Sequence, residues 1–163
     1  MNEPLQILMA NCAILLVEDN EDDAFLMSRA FQKAHLLNPV VHVKDGEEAI
    51  SYLRGEGRYA NRDQFPLPFL LLLDLNMPRV NGFEVLQWIR EHSDLKRMLV
   101  VILTASTREL DIKHAYDLGA HSYLNKPGSF EELTQLLNRL HGSWLMTNGS
   151  PNVPPPRELE SVQ

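Results

Sequence analysis

The chain has 163 residues, 44% of them hydrophobic and 23% charged, an ordinary globular composition with enough apolar material for one core. Its net charge of -7 argues against direct nucleic-acid binding, which needs a basic surface to meet phosphate. One cysteine, Cys12, excludes an intramolecular disulfide; with no basic neighbour to activate its thiol, it reads as a small core residue.

The opening stretch LQILMANCAILLV has no Lys or Arg before it and Gln6 and Asn11 within it, so it lacks the pattern of a signal peptide. No segment reaches the ~18 continuous apolar residues of a membrane span. A cytoplasmic protein is expected. AILLV (13–17) predicts a buried strand that ends at Glu18, Asp19 and Asn20. In EDDAFLMSRAFQKA, Ala24, Met27, Ala30, Phe31 and Ala34 recur at three-and-four spacing, which predicts a helix. Asn20 can cap it, and Glu21, Asp22 and Asp23 suit its N-terminal dipole.

VVHV (40–43) predicts a second strand and GEEAISYL (46–53) a short helix. Gly55, Gly57, Pro66 and Pro68 mark a long loop. FLLLL (69–73) is a third strand, apolar at every position as in a strand buried on both faces. FEVLQWIR forms a helix, MLVVIL (98–103) a fourth strand, and about 108–118 a helix that Gly119 stops. HSYL (121–124) is the fifth strand. Ser129 is expected to cap a last helix, with Glu132 as its capping-box partner. Phe130, Leu133, Leu137, Leu140 and Trp144 form that helix's core stripe. Leu136, Leu145 and Met146 fall off it and suggest a second contact face. The tail after Thr147 holds four of the ten prolines and no apolar period, and is expected to be disordered.

Five strands alternating with five helices predict an α/β fold with a parallel sheet covered on both faces. Ligands of such sheets bind beyond the carboxyl ends of the strands. The sequence places Glu18 and Asp19 after strand one, Asp74 after strand three, Thr104 at the end of strand four, and Asn125, Lys126 and Pro127 after strand five. Three acids at one edge repel one another, and a hard divalent cation such as Mg²⁺ relieves the conflict. With no His or Cys at ligand spacing nearby, zinc is a poor fit.

Lys126 can reach a carboxylate or a phosphoryl oxygen, and Thr104 supplies a donor. Cation, Lys126 and Thr104 together suit a phosphoryl group transferred to Asp74 as nucleophile. Each residue has a plainer reading: Asp74, Glu18 or Asp19 as a helix cap, Lys126 as a solvated lysine, Thr104 as a strand end. Their convergence on one edge favours a site.

Taken in order, these motifs resemble the receiver domain of two-component response regulators, over about residues 12 to 141. ILLVEDN resembles the acidic-pair motif and LLLDLNMPRVNG the phosphoacceptor motif, with Asp74 as acceptor. VVILTAS carries the switch hydroxyl at Thr104, and GAHSYLNKP carries the aromatic switch Tyr123 and the Lys126-Pro127 pair. The resemblance implies a flavodoxin-like, three-layer, doubly wound (βα)5 fold with strand order 2-1-3-4-5.

It further implies Mg²⁺ bound by Asp19, Asp74 and the backbone carbonyl of Asn76, with Glu18 acting through water, and a cis peptide between Lys126 and Pro127. Phosphorylation then draws Thr104 inward and rotates Tyr123 into the fold, changing the face of helix four, strand five and helix five. Asn76 and Ser106 flank the phosphoryl group and tune its lifetime.

More narrowly, the long loop GEGRYANRDQFPLP, the phrase DLKR and a Trp-Leu near the end of helix five resemble single-domain regulators paired with bacteriophytochrome-type histidine kinases. The proline-rich tail and Ala105-Ser106 depart from that pattern.

The implied organisation is an extension over 1–11, a receiver domain over 12–146 and the tail over 147–163. The 17 residues after 146 are too few to fold alone, so output by protein contact is expected. Expected partners are a sensor histidine kinase, a downstream protein that the sequence does not specify, and a second copy through the helix 4–strand 5–helix 5 face, with neither nucleic acid nor membrane. The chain is expected to catalyse its own phosphorylation and dephosphorylation rather than turn over a substrate. A haloacid-dehalogenase-like phosphatase fits poorly, because Asn76 stands where that chemistry uses an acid. A flavin protein fits poorly because VEDNEDD repels phosphate. A pseudo-receiver that binds partners without phosphorylation is the standing alternative.

Overall fold

A computed structural model describes residues 13–95 and 97–141. Cys12, the extension over 1–11, Trp144, Leu145, Met146 and the tail over 147–163 lie outside the described residues. Strands β1 (Ile14–Val17), β2 (Val40–Val43), β3 (Leu70–Leu73), β4 (Leu99–Thr104) and β5 (Ser122–Asn125) form one parallel sheet in the order β2-β1-β3-β4-β5. They alternate with helices α1 (Glu21–Lys33), α2 (Gly46–Arg54), α3 (Gly82–Arg90), α4 (Glu109–Asp117) and α5 (Phe130–His141). This is the parallel sheet covered on both faces that the alternating pattern predicts, in the doubly wound, flavodoxin-like order that the family resemblance implies.

Successive strand residues point to opposite faces, and here both faces are apolar. Leu15, Val17, Leu71, Leu73, Val100 and Ile102 pack with α2, α3 and α4. Ile14, Leu16, Leu70, Leu72, Val101 and Leu103 pack with α1 and α5. Continuous apolar runs follow from this double burial. Leu136 corrects the sequence reading: it is buried in the α1–α5 core beside Leu133, Leu137 and Leu140. Positions three and four apart share a face, so the buried stripe of a helix is wide enough to include it.

The helix starts are capped as their residue types dictate. Asn20 accepts from the Asp23 amide at 3.0 Å, Asp45 from Glu48 at 2.8 Å and Ser129 from Glu132 at 3.2 Å. Asn81 and Glu84 form a reciprocal capping box at the start of α3. The segment 55–68 is more ordered than its glycines and prolines imply. It contains a 3₁₀ turn, Gly57–Tyr59, and Arg62 donates to the carbonyls of Tyr52 (2.8 Å), Leu53 (2.8 Å) and Phe65 (3.2 Å). Arg62 thereby supplies a donor to two carbonyls at the end of α2, of which that of Tyr52 also accepts the Gly55 amide at 3.0 Å. Tyr52, Tyr59 and Phe65 pack ring to ring above it.

Candidate functional site

Register brings the site residues together. Val17 pairs with Leu73, so Glu18 and Asp74 leave adjacent strands at the same level. Thr104 pairs with Asn125, and Lys126 follows one residue later, its amide donating to the Thr104 carbonyl at 2.7 Å. Asp74, Glu18 and Thr104 are buried, at 6%, 4% and 0% exposure. Asp19 is exposed. Carboxylate oxygens of Glu18, Asp19 and Asp74 lie within 4.8 Å of one another, which leaves two buried acids and one open to solvent.

Lys126 compensates this charge. Its Nζ lies 2.5 Å from Glu18 Oε1, 3.1 Å from Asp74 Oδ2 and 3.1 Å from Asp23 Oδ2. Pairing offsets part of the burial cost of the acids. Burial still pushes the Glu18 carboxyl up to about 7, against the downward pull of Lys126. For Lys126, burial alone lowers the pKa, but the bond to Glu18 and the charge of Asp74 outweigh it and hold the ammonium above the ordinary lysine range. The other Asp74 oxygen, Oδ1, accepts the Asn76 amide at 3.3 Å. The Asn76 side chain itself is exposed.

The loop from Asp74 to Gly82 is fixed at both ends. A Cβ on Gly82 would stand 2.5 Å from the Asp74 carbonyl oxygen and 2.8 Å from Leu75 Cα, so only glycine lets α3 start this close to the Asp74 backbone. In mid-loop, Arg79 adopts φ 63° and pairs with Asp45 at 2.7 Å and Glu47 at 3.8 Å, tying the loop to α2. Sequence reading missed both Arg79 and Asp23. Neither pair has a helical spacing to announce it, although Asp23 sits in the acidic first turn of α1.

Two expectations on the β5 side need correction or refinement. Among the described residues every peptide bond is trans, including Lys126–Pro127, which corrects the cis expectation. Trans is the lower-energy isomer before proline by about 0.5–1 kcal/mol, and Lys126 reaches its carboxylates from it. Tyr123 is already inside, 3% exposed, with its hydroxyl donating to the Ser106 carbonyl at 3.0 Å. Burial raises its pKa. The Ser106 hydroxyl donates to Asp111 at 2.5 Å, and the Ser106 amide faces Thr104 Oγ1 at 3.5 Å.

An all-oxygen donor set with one solvent-exposed carboxylate suits a hard divalent cation whose remaining ligands are water. The same edge offers a carboxylate nucleophile, an ammonium and a hydroxyl, the parts that phosphoryl transfer to a carboxylate uses. No helix among the described residues is long and apolar enough to cross a membrane.

Comparison with known proteins agrees with this geometry. The response regulator receiver domain family matches residues 14–138. The probable methanogenesis regulatory protein FilR2 of Methanothrix harundinacea is 41% identical over 85% of this chain and 86% of its own. Response regulator Rcp1 of Synechocystis is 37% identical over 82% of this chain and 89% of its own. The crystal structure of its Mn²⁺-bound form superposes with a TM-score of 0.74 at 35% identity, covering 86% of this chain and 99% of that one. The phosphorylated cyanobacterial phytochrome response regulator RcpA superposes with a TM-score of 0.77 at 42% identity, covering 87% of this chain and 99% of that one. The chain belongs to the response regulator receiver domain family and is a response regulator of two-component signalling.

Proposed function

We propose that this response regulator accepts a phosphoryl group on Asp74 from a phosphohistidine of a sensor kinase and signals by contact with another protein. The observation that carries this reading is the Lys126 ammonium bridging Asp74 and Glu18 at the edge where Asp19 also converges. An Asp74 oxygen attacks phosphorus, the P–N bond breaks, and the leaving imidazole takes a proton. Asp19, Asp74 and the Asn76 carbonyl would hold Mg²⁺, with Glu18 acting through water. Bound there, the cation would neutralise phosphoryl oxygens during transfer. Lys126 holds Asp74 in place beforehand and supplies a donor to the phosphoryl group afterwards. Thr104 supplies a second donor from the end of β4.

The likeness to the phytochrome response regulator RcpA supports a phytochrome-type kinase as donor. We place the functional unit at 12–146, with 1–11 and 147–163 as flanking segments, and a second copy as a candidate partner through the α4–β5–α5 face. Asn76 and Ser106 tune the lifetime of the phosphoryl group. Incubation with acetyl phosphate and Mg²⁺, followed by intact mass, tests the reading. One phosphoryl adduct that needs Mg²⁺ and is missing from Asp74→Asn supports it. A folded chain that stays unmodified supports instead the phosphorylation-independent pseudo-receiver.

A further inference from the structure

The Lys126 ammonium has three N–H donors and three carboxylate partners, Glu18 at 2.5 Å, Asp23 at 3.1 Å and Asp74 at 3.1 Å. Two of these acids belong to the cluster with Asp19 whose oxygens converge. Asp23 does not. It stands in the first turn of α1, where the Asn20 side chain holds its amide at 3.0 Å, and its neighbours Ala24 and Met27 are buried in the core. Its carboxylate is therefore carried by a packed and capped helix rather than by a loop. The contact with Lys126 spans 103 residues of sequence and joins α1 to the segment after β5.

We propose that Asp23 is a positioning residue, which holds the Lys126 ammonium on the α1 side of the site and so leaves oxygens of Glu18 and Asp74 open to a divalent cation. This inference rests on the metal-assisted acceptor reading above. The ammonium and the cation compete for the same two carboxylates. Asp23 gives the ammonium a partner outside that competition. Without it, Lys126 has only Glu18 and Asp74 to pair with, and the cation must displace it from both. Asp23 is half-exposed on the surface of α1, so its replacement leaves the core untouched.

The test is a double-mutant cycle on the full chain, with Mg²⁺ affinity measured by isothermal titration calorimetry. Asp23→Asn is expected to weaken Mg²⁺ binding about five-fold, the scale of one partly exposed ion pair. In a Lys126→Met background the same substitution should change nothing, because no ammonium remains to be positioned. Asp23→Glu should recover part of the loss. In the acetyl phosphate reaction, Asp23→Asn should need more Mg²⁺ yet reach the wild-type plateau when Mg²⁺ saturates. Equal weakening in both backgrounds would reveal a bare effect of net charge and overturn the proposal. So would wild-type affinity in Asp23→Asn. A wild-type chain that binds no Mg²⁺ and takes no phosphoryl group overturns the reading of the site itself, and this proposal with it.

Discussion

The Tyr123 hydroxyl donates to the backbone carbonyl of Ser106 at 3.0 Å, joining β5 to the loop that follows β4. The ring occupies the inward position, 3% exposed. Tyr123→Phe keeps the ring and removes the bond. It should cost about 1 kcal/mol and speed amide exchange in residues 105–108. Unchanged exchange there would show that the bond does not hold the loop.

Gly82 controls how closely α3 approaches the Asp74 backbone. In Gly82→Ala the new methyl meets the Asp74 carbonyl oxygen at 2.5 Å and Leu75 Cα at 2.8 Å. Both obstacles are main-chain and cannot swing aside. A loss of about 1–3 kcal/mol is expected from such overpacking, read as a lower denaturant midpoint. Phosphoryl acceptance should fall too, because the displaced backbone carries Asp74. A variant with wild-type stability and acceptance would refute this role for the glycine.

Arg62 is the strut of the segment 55–68. Arg62→Ala removes three bonds to main-chain carbonyls. The expected cost is about 1–3 kcal/mol, since the partly buried Leu53 and Phe65 carbonyls lose this donor while Tyr52 keeps the Gly55 amide at 3.0 Å. Hydrogen exchange should rise locally in 57–65 while the sheet keeps its protection. Uniform loosening of the whole fold would point to a different role.

His121 gives the fold a pH dependence of definite sign. Its Nδ1 accepts the Val100 amide at 3.0 Å, so that nitrogen carries no proton. Burial, helped by the nearby charge of Arg90, lowers its pKa from the usual 6.5. The unfolded chain therefore binds this proton more readily than the folded one. The contribution of His121 is present above the unfolded value and is lost as pH falls from there toward the folded value. Unfolding free energies at about pH 7.5 and about pH 5, on either side of the ordinary histidine range, should differ more for wild type than for His121→Asn. The opposite order would contradict the lowered pKa.

The sheet was legible because β1 and β3 are apolar at every position, and β4 at every position before Thr104, as double burial requires. Asp74, Glu18, Asp19, Thr104 and Lys126 were legible because parallel strands bring their carboxyl ends to one edge. What escaped notice depends on contacts without period. Asp23 meets Lys126 across the fold, Arg79 meets Asp45 across two loops, and Arg62 finds carbonyls that any residue could offer. Leu136 was misread for another reason. A strict alternation of three and four is narrower than the face a helix buries. The trans Lys126–Pro127 bond shows a different limit, since the two isomers before proline differ by only about 0.5–1 kcal/mol.

Asp74 is the proposed phosphoryl acceptor. The most direct test of that role treats the full chain with acetyl phosphate and Mg²⁺, reduces it with borohydride, and maps the product by peptide mass spectrometry. Borohydride converts an aspartyl phosphate into homoserine with loss of phosphate, which marks the acceptor permanently. Homoserine is expected at position 74 alone, and none when Mg²⁺ is chelated. Homoserine at another carboxylate, or none anywhere in a folded, Mg²⁺-saturated chain, would contradict that role.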